Sequence, residues 1–236
     1  MKFTMIRFLK SAFIKLRLHV LFGPFSGIFL QIAYLSKLSK WADNNKNVDN
    51  NDFYSTWDYN KRYGLYSRVI ELESLKEPIN YLEFGVAGGE SFNWWMTQNI
   101  NENSRFYGFD TFTGLPEDFG PYKKGTFNSG KIPVIKDSRG TFFQGLFQQT
   151  LPGFLKSFDN TKKTVLMMDA DLYTATLFTL TSFAPFLKKG DIILFDEFVV
   201  PTHEFMAFQN FIDSYYFKLE LIATANNYYF AAFKVL

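Results

Sequence analysis

Short apolar runs, each stopped by a glycine or an acid and spaced so that helix-like segments fall between them, leave this chain few architectures. The longest are INYLEFG (79–85), RFYGFD (105–110), TVLMMD (164–169) and DIILFDEF (191–198), with a shorter TFFQG at 141–145. Helical patterning covers SFNWWMTQNI (91–100) and residues 151–158, 172–187 and 204–216. Runs that are apolar throughout, without alternation, need cover on both faces, and strands interleaved with helices supply it as a parallel sheet. The end of the chain, FKLELIATANNYYFAAFKV, reads as two strands joined by a turn at Asn226 and Asn227. The expected fold is α/β: a Rossmann-like, doubly wound, seven-stranded, mostly parallel sheet with a C-terminal antiparallel hairpin and a helical N-terminal extension. Ligands of such sheets bind beyond the carboxyl ends of the strands, where this chain concentrates its acids.

A length of 236 residues suits one domain with an extension. The expected division is a basic, amphipathic helical arm and polar linker at 1–52, and the α/β domain at 53–236. Residues 1–40 hold seven of the 25 basic side chains and no acid, so the rest of the chain carries 18 basic against 23 acidic residues. A basic arm on a mildly acidic body is not a nucleic-acid footprint, and no nucleic-acid partner is expected. In the arm, Phe3, Ile6, Leu9, Phe13, Leu16 and Val20 recur every three or four residues, a helical stripe. Residues 18–36 are uncharged with His19 neutral, but Gly23, Pro24, Ser26, Gly27 and Gln31 interrupt them. The reading set first is helices packed on the domain or on a second copy in a homodimer. Peripheral membrane contact comes next and a membrane span last. DNNKNVDNND (43–52) is read as the linker. The absence of cysteine excludes disulfides, thiolate metal sites and cysteine nucleophiles, and it suits a reducing, cytoplasmic setting, membrane-peripheral if the arm docks.

The first run continues as E-F-G-V-A-G-G-E-S. Gly85, Gly88 and Gly89 permit a tight turn close to a ligand, and the next helix opens with its N–H groups toward it. Asp110 closes the second run 21 residues after Gly89, where an acid can accept hydrogen bonds from ribose hydroxyls. Glu83 before the glycines is atypical for a pyrophosphate cofactor and suits one carrying an ammonium and a sulfonium. The glycine spacing and Glu83 therefore count against a Rossmann oxidoreductase.

E-x-G-x-x-x-G (83–89), GFDTFTGLPEDF (108–119), GLFQQTLPGFL (145–155), MDADLYTAT (168–176) and GDIILFDEF (190–198) together resemble the class I S-adenosylmethionine-dependent methyltransferases. More narrowly they are similar to the macrocin-type sugar O-methyltransferases. The similarity runs over roughly residues 60–235. It implies an enzyme that moves a methyl group from S-adenosylmethionine to a hydroxyl of a small acceptor, a sugar or a phenol. It implies cofactor contacts from Glu83, Gly85, Val86, Ala87, Gly88, Gly89 and Ser91 on the methionine side. Asp110, Thr111 and Phe112 are implied for the ribose, Gly145, Leu146 and Phe147 for the adenine, and Asp169 beside the methyl group.

Asp169 ends one run, and Asp196 and Glu197 end the next, 27 residues later. Adjacent strands lie about 4.8 Å apart, so the three carboxylates can converge. Unpaired they would repel, and a hard divalent ion such as Mg2+ relieves that. In the resembled family this is the place of the Mg2+ that orients the acceptor oxygen, so Asp169, Asp196 and Glu197 are the expected ligands. Asp171 is read as a cap of the following helix. His203, near the start of the next helix, is the candidate base beside Asp169. The sequence departs from the family at the base, with no histidine between Asp110 and Asp169 and Leu172 where catechol-type relatives carry lysine. The connection 111–136 is long enough to form a lid, and Trp57, Tyr59, Arg62 and Tyr63 are candidates for the same cleft. Two other classes compete. The D-x-D of Asp169 and Asp171 fits metal-dependent glycosyltransferases but leaves the Glu83 loop unexplained; a degenerate, non-catalytic module that binds cofactor or a partner is the other.

Overall fold

The computed structural model describes residues 2–48 and 56–236. Seven strands form one sheet: β1 (Ile79–Phe84), β2 (Arg105–Asp110), β3 (Gly140–Gln144), β4 (Lys163–Met168), β5 (Ile192–Phe195), β6 (Leu219–Ala225) and β7 (Phe230–Val235). Their order is β3-β2-β1-β4-β5-β7-β6, with β7 antiparallel to both β5 and β6 and every other pairing parallel. The expected mixed sheet is therefore present. The closing hairpin inserts its second strand beside β5, and its turn passes Asn226 and Asn227 at φ 52° and 56°, left-handed values that asparagine tolerates.

Helices cover both faces because the strand residues divide by parity. Ile79, Tyr81, Val165, Met167, Ile192 and Leu194 pack toward α4 (Lys61–Leu72) and α5 (Glu90–Gln98). Leu82, Phe84, Leu166, Met168, Ile193 and Phe195 pack toward α6 (Phe147–Leu155), α7 (Tyr173–Phe183) and α8 (Glu204–Tyr215). Much of the phenylalanine excess fills the second face. Phe84, Phe109 and Phe143 stack across β1, β2 and β3 with centroids 4.9 and 4.7 Å apart, and Phe154 meets Phe109 edge-on at 5.2 Å. Each such ring contributes on the order of 1.5–3 kcal/mol by leaving water. Parity also fixes the direction of the acids. Glu83 continues the Ile79–Tyr81 series, Asp169 the Val165–Met167 series and Asp196 the Ile192–Leu194 series, so all three belong to the face that α4 covers.

The N-terminal arm consists of α1 (Lys2–Lys15), α2 (His19–Phe22), a 3-10 turn (Gly23–Phe25) and α3 (Ser26–Asn44). Packing of the arm on the body holds only for the later part of α3. There Leu38 is buried, Trp41 meets Phe198 at 4.7 Å and Tyr34 donates to Asn210 Oδ1 at 3.3 Å. The linker read at 43–52 begins inside α3, and the boundary expected between 52 and 53 lies outside the described residues.

Candidate active site

The strand ends and the loops beyond them enclose a cavity of about 450 Å³. The glycine loop forms one wall. Gly85 takes φ 98°, and a Cβ there would lie 1.7 Å from the Asp169 carbonyl oxygen, so β1 and β4 approach this closely only with glycine. Its N–H donates to Phe109 O at 2.9 Å, extending the β1–β2 ladder into the loop. Asp110 holds the loop from below: Oδ2 accepts from the N–H groups of Val86 and Ala87, each at 2.8 Å, and Oδ1 from Phe112 N–H at 2.7 Å. The acid expected at the ribose thus spends most of its accepting capacity on the backbone, although it still lines the cavity. Gly85, Ala87, Asp110, Thr111, Leu146 and Phe147 reach the cavity as expected for cofactor contacts.

Other expected contacts do not reach it. Glu83 is fully buried, accepting from Ser91 Oγ at 2.6 Å and Tyr81 Oη at 2.5 Å. Glu83 and Ser91 therefore brace β1 against α5 from inside, because Glu83 lies one residue inside the end of β1 and its carboxyl is taken by Ser91 and Tyr81. Burial pushes Glu83 up to about 8, against the pull of its two hydroxyl partners. Val86 and Phe112 are buried beneath the loop. Gly89 caps α5 at φ 81°, Gly88 is exposed in the turn, and Gly145 faces an adjoining hollow with Gln144 and Lys124.

Asp169, Asp196 and Glu197 do converge, but not as an open ligand set. The Arg62 guanidinium, carried by α4, donates to Asp169 Oδ2 at 3.2 Å and to Asp196 Oδ2 at 3.4 Å. Tyr66, one turn further on, donates to Asp196 Oδ1 at 3.3 Å, and the Tyr59 hydroxyl accepts from Arg62. The position between the two carboxylates is thus filled by a planar, permanently charged donor. Among the described residues no group of three or more acids or histidines is arranged to hold a metal ion. This corrects the metal expectation: the donor set as built fits a guanidinium. Burial raises Asp196 well above the usual carboxylate range, and the Asp169 charge adds to it. Burial raises Asp169 too, restrained by Arg62. The Asp169 side chain remains 23% exposed while that of Asp196 is 3% exposed, so Asp169 is the member that opens toward the cavity.

Asp171 is not a helix cap. The N-cap of α7 is Leu172, and Asp171 sits at φ 58° with its carboxyl turned toward Glu197 in the cavity wall. Glu197 Oε1 accepts from Tyr229 Oη at 2.5 Å, while its buried Oε2 has no hydrogen-bond partner among the described residues. Burial, then the charges of Asp169, Glu197 and Asp196, push Asp171 up to about 9. Beneath this pair the buried Glu204 accepts from Glu197 N–H at 3.0 Å.

His203 is the second correction. It is absent from the cavity lining. Its Nδ1 accepts from Tyr173 N–H at 3.3 Å and its ring meets Phe119 edge-on at 4.8 Å. It fastens the start of α7 to the 111–136 connection, and burial lowers its pKa. That connection does act as a wall, through Gly114, Leu115, Pro116, Tyr122 and Phe127. Lys123 pairs with Asp118 at 2.8 Å. Trp57, Tyr59 and Tyr229 form the opposite wall, whereas Tyr63 packs on Trp94. Of the side chains that line the cavity, Asp171 and Tyr229 were least visible in the sequence; D-x-D placed Asp171 beside Asp169, but nothing marked Tyr229.

Residues 82–198 match the family described as a methyltransferase domain. No curated protein matches the chain. Among solved structures, the calicheamicin methyltransferase CalS11 superposes with a TM-score of 0.57 at 20% identity, over 86% of this chain and 91% of that one. A second, apo structure of CalS11, described as a TDP-rhamnose 3'-O-methyltransferase, gives 0.53 at 22% identity over 86% and 93%. The O-methyltransferase NovP gives 0.55 at 17% identity over 86% and 98%. At these identities the superpositions establish the fold.

Proposed function

Residues 82–198 are a methyltransferase domain of the S-adenosylmethionine-dependent fold, and from that premise we propose that the chain is an O-methyltransferase acting on a hydroxyl of a sugar-like small molecule. The observation that carries the reading is one cavity bounded by the Gly85 loop, the Asp169 carboxylate and the aromatic wall of Trp57, Tyr59 and Tyr229. When bound, S-adenosylmethionine supplies a methyl group whose bonding pair stays on sulfur as the acceptor oxygen takes the carbon. Ala87 and Asp110 on one side and Leu146 and Phe147 on the other give that cofactor a polar and an apolar end. Asp169, the acid that opens toward the cavity, offers a carboxylate to a ligand bearing positive charge. Asp169 accepts the acceptor's hydroxyl proton, and Arg62 steadies that carboxylate. The aromatic wall gives flat apolar faces to a sugar ring, with Tyr229 and Asp171 supplying hydrogen bonds. A sugar acceptor is supported further by the likeness to CalS11, described as a TDP-rhamnose 3'-O-methyltransferase, and by the resemblance to macrocin-type enzymes. Magnesium assistance is left out of this reading, since Arg62 brings positive charge to the same two carboxylates.

The test is a screen of nucleotide-linked and free sugars against phenols, read as S-adenosylhomocysteine formed, with Asp169→Asn in parallel. The reading expects turnover with a sugar, lost by at least about a hundredfold in Asp169→Asn, while S-adenosylhomocysteine binding stays within about threefold. Turnover with phenols alone overturns the acceptor class; full activity in the variant overturns the role of Asp169.

A further inference from the structure

Residues 3–30 of the arm are exposed almost throughout, with none buried. Phe3 is 79% exposed, Phe8 71%, Ile14 76% and Val20 72%, and Leu21, Phe25, Ile28 and Phe29 are exposed as well. Contiguous apolar surface on this scale marks an interaction site on a water-soluble domain. In α1, Met5, Leu9, Ala12 and Phe13 share one side, while Thr4, Arg7, Ser11 and Lys15 share the other with Ile14 among them. All seven charges among residues 1–40 are positive. Residues His19–Asn44 are long and apolar enough to cross a bilayer, but from Gln31 onward α3 is tied to the body. Thr202 Oγ1 donates to Gln31 at 3.0 Å, and Leu38 and Trp41 are packed against the core. The free part from His19 to Leu30 reaches about 18 Å even as continuous helix, short of the roughly 30 Å of a hydrocarbon core.

We propose that the arm is an interfacial anchor that lays α1, α2 and the first turns of α3 into the surface of an anionic phospholipid bilayer. Apolar side chains enter the acyl boundary, and Arg7, Lys10, Lys15 and Arg17 meet the lipid phosphates. Charge of a single sign selects this occupant over a second copy of the arm, whose own positive charges would repel. The inference is independent of the catalytic reading.

The full chain is sedimented with phosphatidylglycerol-containing vesicles and with pure phosphatidylcholine vesicles. The expected result is at least about tenfold stronger partition to the anionic vesicles, falling as salt is added. Arg7→Gln with Lys10→Gln weakens it about thirtyfold, from roughly fivefold per charge. Phe8→Ser with Leu9→Ser weakens binding to both vesicle types. These four side chains are exposed and distant from the core, so an unchanged thermal midpoint certifies each variant as folded. Absence of vesicle binding overturns the proposal, as does partition indifferent to both pairs. A stable dimer in solution that Phe8→Ser with Leu9→Ser dissociates, without vesicle binding, overturns it in favour of the second copy.

Discussion

Glu83 shows how one side chain can look catalytic and serve the scaffold. Its position before the glycine loop invites a role at the cofactor, yet its carboxyl lies fully buried between Ser91 and Tyr81. Burial holds it up to about 8, well above the ordinary 4.5. The folded chain therefore keeps a proton on Glu83 that the unfolded chain releases at lower pH. Stability from this group is fully present below about 4.5 and is lost as pH rises toward about 8. The slope is at most about 1.4 kcal/mol per pH unit. Glu83→Gln, which mimics the protonated acid, should show a flatter profile of thermal midpoint between pH 5 and 8 (roughly the window between the two values). It should also be at least as stable as the parent at the alkaline end. A profile parallel to the parent's would assign the slope to another group.

At the scale of elements, α4 decides the character of the site. It brings Arg62 and Tyr66 onto the face where the parity of β4 and β5 leaves Asp169 and Asp196. Removing the guanidinium strands two buried carboxylates, which costs about 3–5 kcal/mol. Arg62→Ala should lose about that much stability and, having an open acid pair, gain stabilisation from added Mg2+ that the parent lacks. Parallel thermal midpoints with and without Mg2+ check this; a Mg2+-dependent rise in the parent itself would contradict the filled-site account. The sheet, the helices that follow its strands and the convergence of acids at the strand ends were legible in the sequence, because apolar runs and their terminal acids are local signals. Arg62 was named for the cleft, but neither its helix α4 nor its place between Asp169 and Asp196 was read, because that pairing forms only when α4 packs across the strand ends. Asp171 misled for a related reason: an acid just before a helix usually caps it, and only the left-handed turn at φ 58° redirects it to Glu197. His203, placed by sequence near the strand ends, was taken up instead by the Tyr173 backbone and Phe119.

The whole molecule divides its tasks by charge. The body gathers buried acids around one cavity, and the arm carries basic and apolar residues outward on a helix seated by Leu38 and Trp41. In the proposed function the cavity takes a cationic cofactor and a hydroxyl acceptor, and the proposed anchor would bring that cavity to a lipid surface. The account of the cavity rests on the body being a methyltransferase that binds its cofactor along the Gly85 loop. Calorimetric titration of the full chain with S-adenosylhomocysteine tests this most directly. The account predicts saturable binding at one site per chain, with a dissociation constant on the order of micromolar. No heat of binding, with a nucleotide sugar binding tightly in its place, would contradict it.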